Sequence, residues 1–279
     1  YEGDVCDKEL LRRIFTEHKI AAVMHFAGYK AVGESVQKPI MYYRNNIDST
    51  LTLCEVMKEY NVKNIVFSSS ATVYGTPKSL PIKEDFEVTH ATNPYGETKI
   101  INERILNDLY YSDNSWNIAL LRYFNPIGAH KSGLIGESPN DIPNNLMPYI
   151  VKVAVKELKE LSVFGADYDT IDGTGVRDYI HVVDLARGHI KALEWVLSKK
   201  GIDVFNLGTG NGYSVLELVE AFKKYNNIDV PYKIVGRREG DIASCYADVS
   251  KAKDVLNWTA EFGIEDMVKD SYNFAKNSK

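Results

Sequence analysis

The sequence predicts an α/β protein built on a doubly wound parallel sheet, with a smaller α/β lobe beside it. Three observations carry this. Apolar runs of strand length alternate with runs of helical periodicity. The strand-like runs are apolar on both faces, as strands covered by helices on both sides require. The alternation breaks once, after residue 125, in a stretch rich in Gly, Pro and Asn.

The elements follow in order. Residues 7–19 place Leu10, Leu11, Ile14 and Phe15 on one helical face. Residues 21–27 form a continuous apolar run closed by Gly28, which suits a central strand. Residues 41–60 read as a long helix and 64–70 as the next buried strand. Residues 93–111 read as a helix, with Asn93 as N-cap and Pro94 at the first helical position. Residues 117–124 are again a strand. Such alternation implies βαβ units with right-handed crossovers, a Rossmann-type arrangement. Beyond the irregular segment 126–145 the pattern predicts helices over 144–159, 184–198, 215–225, 250–256 and 264–275, and strands over 162–165 and 204–207. The expected division is 1–125 for a cofactor-binding domain and 126–279 for a substrate lobe, with 177–210 returning to the main sheet.

Composition narrows the function. The chain has 279 residues, ample for a buried core, with 33 Lys and Arg against 38 Asp and Glu, a net charge of -5. No basic stripe of the kind nucleic acid requires is present, and no apolar run approaches a membrane span. The first twenty residues are charged throughout and are not a signal peptide. Three scattered cysteines, Cys6, Cys54 and Cys245, read as free thiols of a reducing, cytoplasmic compartment, and none has metal-ligand spacing.

The chemistry concentrates in three residues. Tyr95 and Lys99 stand one helical turn apart in Asn93-Pro94-Tyr95-Gly96-Glu97-Thr98-Lys99. An unperturbed tyrosine, with a pKa of about 10, is a poor base at neutral pH; a neighbouring ammonium favours its phenolate. Tyr95 so tuned takes a proton from a hydroxyl while hydride leaves the same carbon. Ser70, closing a central strand, sits where open α/β sheets carry their sites. Taken alone, a Tyr-x-x-x-Lys pair is most often surface packing and a serine run most often a turn. Their placement on consecutive strand and helix is what points to catalysis. His25 and His181 read as packed structural histidines, and Gly208-Thr209-Gly210-Asn211-Gly212, lacking a P-loop lysine, as a strand-to-helix turn.

Several long motifs in order resemble one family. Phe67-Ser68-Ser69-Ser70-Ala71-Thr72-Val73-Tyr74-Gly75, the Tyr95 motif, Arg122-Tyr123-Phe124-Asn125-Pro126-Ile127-Gly128, Ile142-Pro143-Asn144-Asn145-Leu146-Met147-Pro148, Asp172-Gly173-Thr174-Gly175-Val176-Arg177-Asp178-Tyr179-Ile180-His181 and Gly236-Arg237-Arg238-Glu239-Gly240-Asp241 are similar to the UDP-glucose 4-epimerases, extended short-chain dehydrogenases/reductases, with a fungal flavour. The resemblance implies bound NAD, hydride transfer at sugar C4 through a 4-keto intermediate, and interconversion of UDP-glucose and UDP-galactose. It implies Tyr95 as base, Lys99 as its tuning residue and Ser70 as hydroxyl partner. It places Asp4, Val5, Phe26, Ala27, Gly28, Lys30, Asn45 and Phe124 at the cofactor. It places Lys30, Ala71, Thr72, Asn125, Asn145, Leu146, Phe164, Arg177, Tyr179, Arg238, Asp241 and Cys245 at the UDP-sugar. Arg177 and Arg238 suit a pyrophosphate, which guanidinium groups bind bidentately; Arg237 beside them reads equally as a surface ion pair.

Three further expectations come with the resemblance. Related 4,6-dehydratases place an acid just after the equivalent of Ser70, where this chain has Ala71, so dehydration is disfavoured. Cys245, where some members carry tyrosine, leaves room for an N-acetyl group. Helices 41–60 and 93–111 resemble the pair that forms a four-helix homodimer interface. The chain opens at Tyr1-Glu2-Gly3-Asp4 without the glycine-rich turn that grips the NAD pyrophosphate in the family. The polypeptide 1–279 alone is therefore expected to bind NAD poorly and to leave UDP-galactose unconverted. A non-catalytic nucleotide-sugar-binding fragment is the alternative reading.

Overall fold

A computed structural model describes residues 1–138, 143, 145–198, 201–238 and 240–278. The elements run α1 (Lys8–Glu17), β1 (Val23–His25), α2 (Val32–Gln37), α3 (Pro39–Glu59), β2 (Asn64–Ser70), a 3-10 turn (Ala71–Tyr74), α4 (Pro94–Ser112), β3 (Asn117–Tyr123), β4 (Asn125–Ile127), α5 (Leu146–Ala154), β5 (Leu161–Phe164), β6 (Val176–His181), α6 (Val182–Ser198), β7 (Gly201–Leu207), β8 (Gly212–Ser214), α7 (Val215–Asn226), β9 (Tyr232–Val235), β10 (Ser244–Cys245), α8 (Ser250–Leu256) and α9 (Ile264–Asn277).

The main sheet has the order β1-β2-β3-β7. Parallel register runs from Val23 opposite Ile65, and from Asn64 opposite Asn117 through Ser70 opposite Tyr123. A second sheet has the order β10-β6-β4, with β8 antiparallel to β6, and β5 pairs with β9 in a third. Two compact units result. The first comprises Tyr1–Thr76, Glu84–Tyr123 and His189–Phe205; the second comprises Pro77–Lys83, Phe124–Gly188 and Asn206–Lys279. Each buries its own core: Phe67, Met57, Trp116, Ile118 and Leu120 in the first, Ile150, Val163, Leu218, Phe222 and Met267 in the second.

Several elements depart from the sequence expectations. The return to the main sheet is made by β7; β6, within the segment 177–210, pairs instead with β4, β8 and β10. Its buried Asp178 and His181 interrupt the apolar run that would have marked a strand. Helix α5 ends at Ala154 rather than 159, and Lys156 there adopts φ of 63°, which no helix interior accommodates. The expected start at Asn144, like Ile142 of the same motif, lies outside the described residues. The short α2, β4, β8, β9 and β10 were not foreseen, because two to six residues carry too little periodicity to register.

Candidate active site

In the first unit, β2 delivers Ser70 and α4 delivers Tyr95 and Lys99. Asn93 caps α4, its Oδ1 accepting from the Gly96 N–H at 2.9 Å, with Pro94 at the first position. A Cβ on Gly96 would stand 2.5 Å from the Ala91 Cβ and 3.3 Å from the Thr72 carbonyl, so only glycine lets the helix start this close to the serine turn. Ser70 Oγ accepts from the Thr72 N–H at 3.2 Å and lies close enough to the Tyr95 phenol to favour its ionised form. Tyr95 is half-buried as a residue, but its hydroxyl end is enclosed. Burial and then the neighbouring Tyr123 raise its pKa above the ordinary tyrosine range, while the Ser70 bond opposes them.

Lys99 is 6% exposed, and its Nζ donates to the Ser68 carbonyl at 2.7 Å. It lies 5.8 Å from the centre of the Tyr95 ring and 5.1 Å from that of Phe67. Burial pushes it down to about 8, with Glu103 opposing. The helical spacing thus brings the ammonium to the tyrosine ring as expected, but it bonds a carbonyl rather than the phenol. Burial outweighs the tuning that the spacing suggests, and Tyr95 rests protonated.

Around this trio lies a buried polar layer that the sequence reading missed. Arg122 Nε and Nη2 grip the two Glu103 oxygens at 2.9 and 2.5 Å, both side chains being almost wholly buried. Ser69, opposite Arg122 in the sheet, donates to the same carboxylate. Glu103 continues the Tyr95–Lys99 stripe by one more turn, the signal that would have found it.

The remaining first-unit candidates follow β1. Residues Phe26, Ala27, Gly28, Tyr29 and Lys30 form an exposed segment, with Phe26 at 56% and Tyr29 at 44% exposure. A Cβ on Gly28 would meet Asn46 Oδ1 at 3.2 Å. Asn45 donates to that same Oδ1 at 3.0 Å, Asp4 accepts from the Cys6 N–H at 2.7 Å, and Val5 packs against the core. The sequence expectation of a central strand is not met, since β1 is the first strand of the sheet; aromatic rings left open at its end, beside a glycine, fit a flat-ringed cofactor such as NAD. Ala71 is buried, and the Thr72 hydroxyl, also buried, has no hydrogen-bond partner among the described residues.

In the second unit, β6 carries Arg177 and Tyr179, opposite Cys245 and Asn125 respectively. Arg177 Nη2 lies 3.6 Å from Asp241 Oδ1. The Arg238 guanidinium lies 4.3 Å from the centre of the Phe164 ring. Asn145 and Leu146 open α5, Phe124 is buried, and Tyr179 is buried in the core. Cys245 is half-buried, its thiol pushed up to about 11 by burial. Arg237 pairs with Asp167 at 2.7 Å and covers Tyr168, the surface ion pair weighed for it.

Between Arg177 and Tyr179, Asp178 is wholly buried and accepts from the Thr209 N–H and hydroxyl at 2.8 and 2.7 Å, the Gly210 N–H at 3.0 Å and the Ala247 N–H at 3.2 Å. The Thr209 and Gly210 amides are therefore engaged by a carboxylate of the fold, consistent with a turn. His181 is a packed histidine: its Nδ1 accepts from the Val183 N–H and its Nε2 faces Asp270 at 3.3 Å. His25 faces the Thr50 hydroxyl at 3.1 Å.

Comparison with known proteins follows the same lines. A family model described as GDP-mannose 4,6 dehydratase matches residues 1–271. A UDP-glucose 4-epimerase of Bacillus subtilis (strain 168) is 61% identical over 274 residues, covering 98% of this chain and 80% of that protein. The human UDP-glucose 4-epimerase is 55% identical over 275 residues, covering 99% and 79%. The crystal structure of UDP-glucose 4-epimerase from Bifidobacterium longum in complex with NAD+ and UDP superposes with a TM-score of 0.96 at 59% identity, covering 99% of this chain and 82% of that one.

Proposed function

Since the chain belongs to the UDP-glucose 4-epimerase family, we propose that it interconverts UDP-glucose and UDP-galactose by removing and returning a hydride at sugar C4. The observation that carries this is buried Lys99, one turn along the helix from Tyr95 and 5.8 Å from the centre of its ring, with Ser70 acting on the same phenol. Bound NAD supplies the hydride acceptor and donor. Tyr95 takes the proton of the sugar hydroxyl and gives it back, and Ser70 holds that hydroxyl in line. Lys99, cationic below a pH of about 8, is the nearby charge that favours the phenolate as the proton leaves. The exposed Phe26–Lys30 segment, with Asp4, Val5, Asn45 and Phe124, lines the cofactor. Arg177 and Arg238 take the pyrophosphate, leaving Asp241 and Phe164 for other parts of the nucleotide sugar. Asn125, Asn145, Leu146 and Tyr179 complete the grip, and the unpartnered Thr72 hydroxyl suits a sugar oxygen. Ala71, where a dehydratase carries an acid, argues for epimerisation over dehydration within the broader family matched.

The test is conversion of UDP-galactose by the NAD-loaded protein, followed with a coupled UDP-glucose dehydrogenase. Formation of UDP-glucose is expected, against the non-catalytic fragment weighed from the sequence, because the likeness to UDP-glucose 4-epimerases spans nearly all of this chain; a loaded protein that forms none, beside an active relative, overturns the reading. The half-buried Cys245, small and opposite Arg177, supports acceptance of UDP-N-acetyl sugars as a second activity. UDP-GlcNAc turnover no higher than that of a Cys245→Tyr variant would sink it. A homodimer through α3 and α4 is proposed from their side-by-side packing and from apolar Ile40, Leu51 and Tyr111 left exposed on them. No described helix is long and apolar enough to cross a membrane; we place the protein in the cytoplasm and in galactose metabolism.

A further inference from the structure

Three successive turns of α4 carry Tyr95, Lys99 and Glu103 on one stripe. The first two belong to the proton transfer; Glu103 does not, yet it is buried like Lys99. Neighbouring residues of β2 receive both: the Ser68 carbonyl takes Lys99 Nζ at 2.7 Å, and Ser69 Oγ donates to Glu103 Oε1 at 2.5 Å. Arg122 supplies the other donors to Glu103, through Nε at 2.9 Å and Nη2 at 2.5 Å. A buried ion pair is weak evidence for stability, since apolar residues of the same volume often serve as well. Its place beside Lys99 therefore asks for a second use.

The pair is neutral as a whole, but its two ends are placed unequally. The carboxylate stands one turn from Lys99 on the same helix, about 5–6 Å away between Cβ atoms. The guanidinium comes from β3 and continues to the Tyr74 ring at 4.9 Å and the Glu84 carbonyl at 3.3 Å. A dipole with its negative end towards Lys99 favours a cation there, and Glu103 is the charge that opposes burial at that amine. The other titratable groups around Lys99 and Tyr95 hold one charge near neutrality. Burial pushes His25 of β1 down to about 4 and Tyr42 of α3 up to about 12. It raises Tyr95 of α4 and Tyr123 of β3 above the ordinary tyrosine value, and Arg122 stays cationic. Lys99 is thus the group of this set that titrates near pH 8.

We propose that Glu103 is a positioning residue for the proton transfer: its carboxylate, held by Arg122 and Ser69, keeps the Lys99 amine in its ammonium form where Tyr95 works. The proposal rests on the epimerase reading for the part Lys99 plays in turnover. The charge of Lys99 itself is read without cofactor or substrate.

Two measurements test it. Lys99 is titrated by NMR in the folded chain carrying isotope-labelled lysine, its signal assigned by its loss in Lys99→Arg. The kcat of the NAD-loaded protein with UDP-galactose is followed over the same pH range. Glu103→Gln is expected to lower both the Lys99 midpoint and the alkaline limb of kcat by about one pH unit, as the loss of a nearby opposite charge does. KM should change little. Arg122→Gln breaks the same pair but leaves the carboxylate, so it should leave the midpoint in place or raise it. A fold merely loosened would move both variants the same way. Glu103→Leu combined with Arg122→Met strands no charge and should still lower the midpoint, and it decides if Glu103→Gln does not fold. A parental midpoint in the Glu103 variants, an equal lowering in Arg122→Gln, or a lowered midpoint with an unmoved kcat limb overturns the proposal. A parent whose Lys99 titrates near pH 8 but which converts no UDP-galactose overturns the functional reading instead.

Discussion

Desolvation governs the site at the scale of single residues. Tyr95 is held protonated by burial, Lys99 is pushed down to about 8, and His25, close enough to feel the Lys99 charge, is pushed down to about 4. Tyr95→Phe deletes one hydroxyl and leaves the ring in place. Its kcat with UDP-galactose should fall about 10²- to 10⁴-fold, the usual worth of a positioned acid–base group, while KM moves little. If Lys99 must be cationic, kcat should decline as pH rises through about 8, and a flat profile to pH 9.5 would count against its role. His25 makes a separate prediction, for stability. Its folded pKa lies below the unfolded value of 6.5, so between about 6.5 and 4 the unfolded chain binds the proton that the folded chain refuses. Stability must therefore fall as pH drops through that window, by about 3 kcal/mol at full extent. Urea unfolding of the parent and a His25→Gln variant at pH 7.5 and 4.5 checks this: the variant should lose distinctly less.

At the scale of elements, β2, β3 and α4 are joined by a buried ion pair. Arg122 and Glu103 satisfy one another bidentately, and Ser69 takes a further lone pair of the carboxylate. Arg122 Nη1 also donates to the Glu84 carbonyl at 3.3 Å, and the guanidinium lies 4.9 Å from the centre of the Tyr74 ring. Removing one partner strands the other charge in the core. Glu103→Ala should cost about 3–5 kcal/mol in denaturant unfolding, whereas Glu103→Leu combined with Arg122→Met should cost less than either single change. Equal losses in the single and double variants would show that the pair, and not the charge left behind, sets the stability. The same layer explains what could be read in advance. The runs that became β2, β3 and α4 were legible within a residue or two, because their apolar positions keep one period throughout. That Tyr95 and Lys99 share one face of α4 was legible from their spacing, and that Ser70 closes β2 from the apolar run before it. Asn46, Glu103, Arg122 and Asp178 were not, since a polar residue in mid-element looks like a solvated face until a partner from a distant segment is known. Strand β6 was hidden for the same reason: half of its polarity is spent inward, on Thr209, Gly210 and Ala247 through Asp178.

On the scale of the whole molecule, the proton-transfer residues and the arginines proposed for pyrophosphate belong to two units with separate cores. The first unit also carries an apolar feature that its core does not absorb. Strand β1 ends the main sheet, and a groove of about 460 Å³ runs beside it, lined by Leu11, Phe15, Ile20, Val23, Met24 and Phe26 among others. Among the described residues no strand pairs with the outer edge of β1, and an open edge with apolar walls is a template for association with another edge. Burying it returns roughly 25 cal/mol for each Å² of apolar surface removed from water. Natural edges are protected by a charge placed at the rim, and Ala22, half-buried on the groove wall, is a position where one can be added. The polypeptide 1–279 should therefore bind 8-anilinonaphthalene-1-sulfonate in its folded state and form oligomers whose size grows with concentration. Ala22→Lys should reduce both the dye fluorescence and the concentration dependence in light scattering, while leaving UDP affinity, which the proposed function assigns to the second unit, in place. Scattering that is independent of concentration in the parent, or unchanged by the added charge, would show that the β1 edge is not where the chain associates.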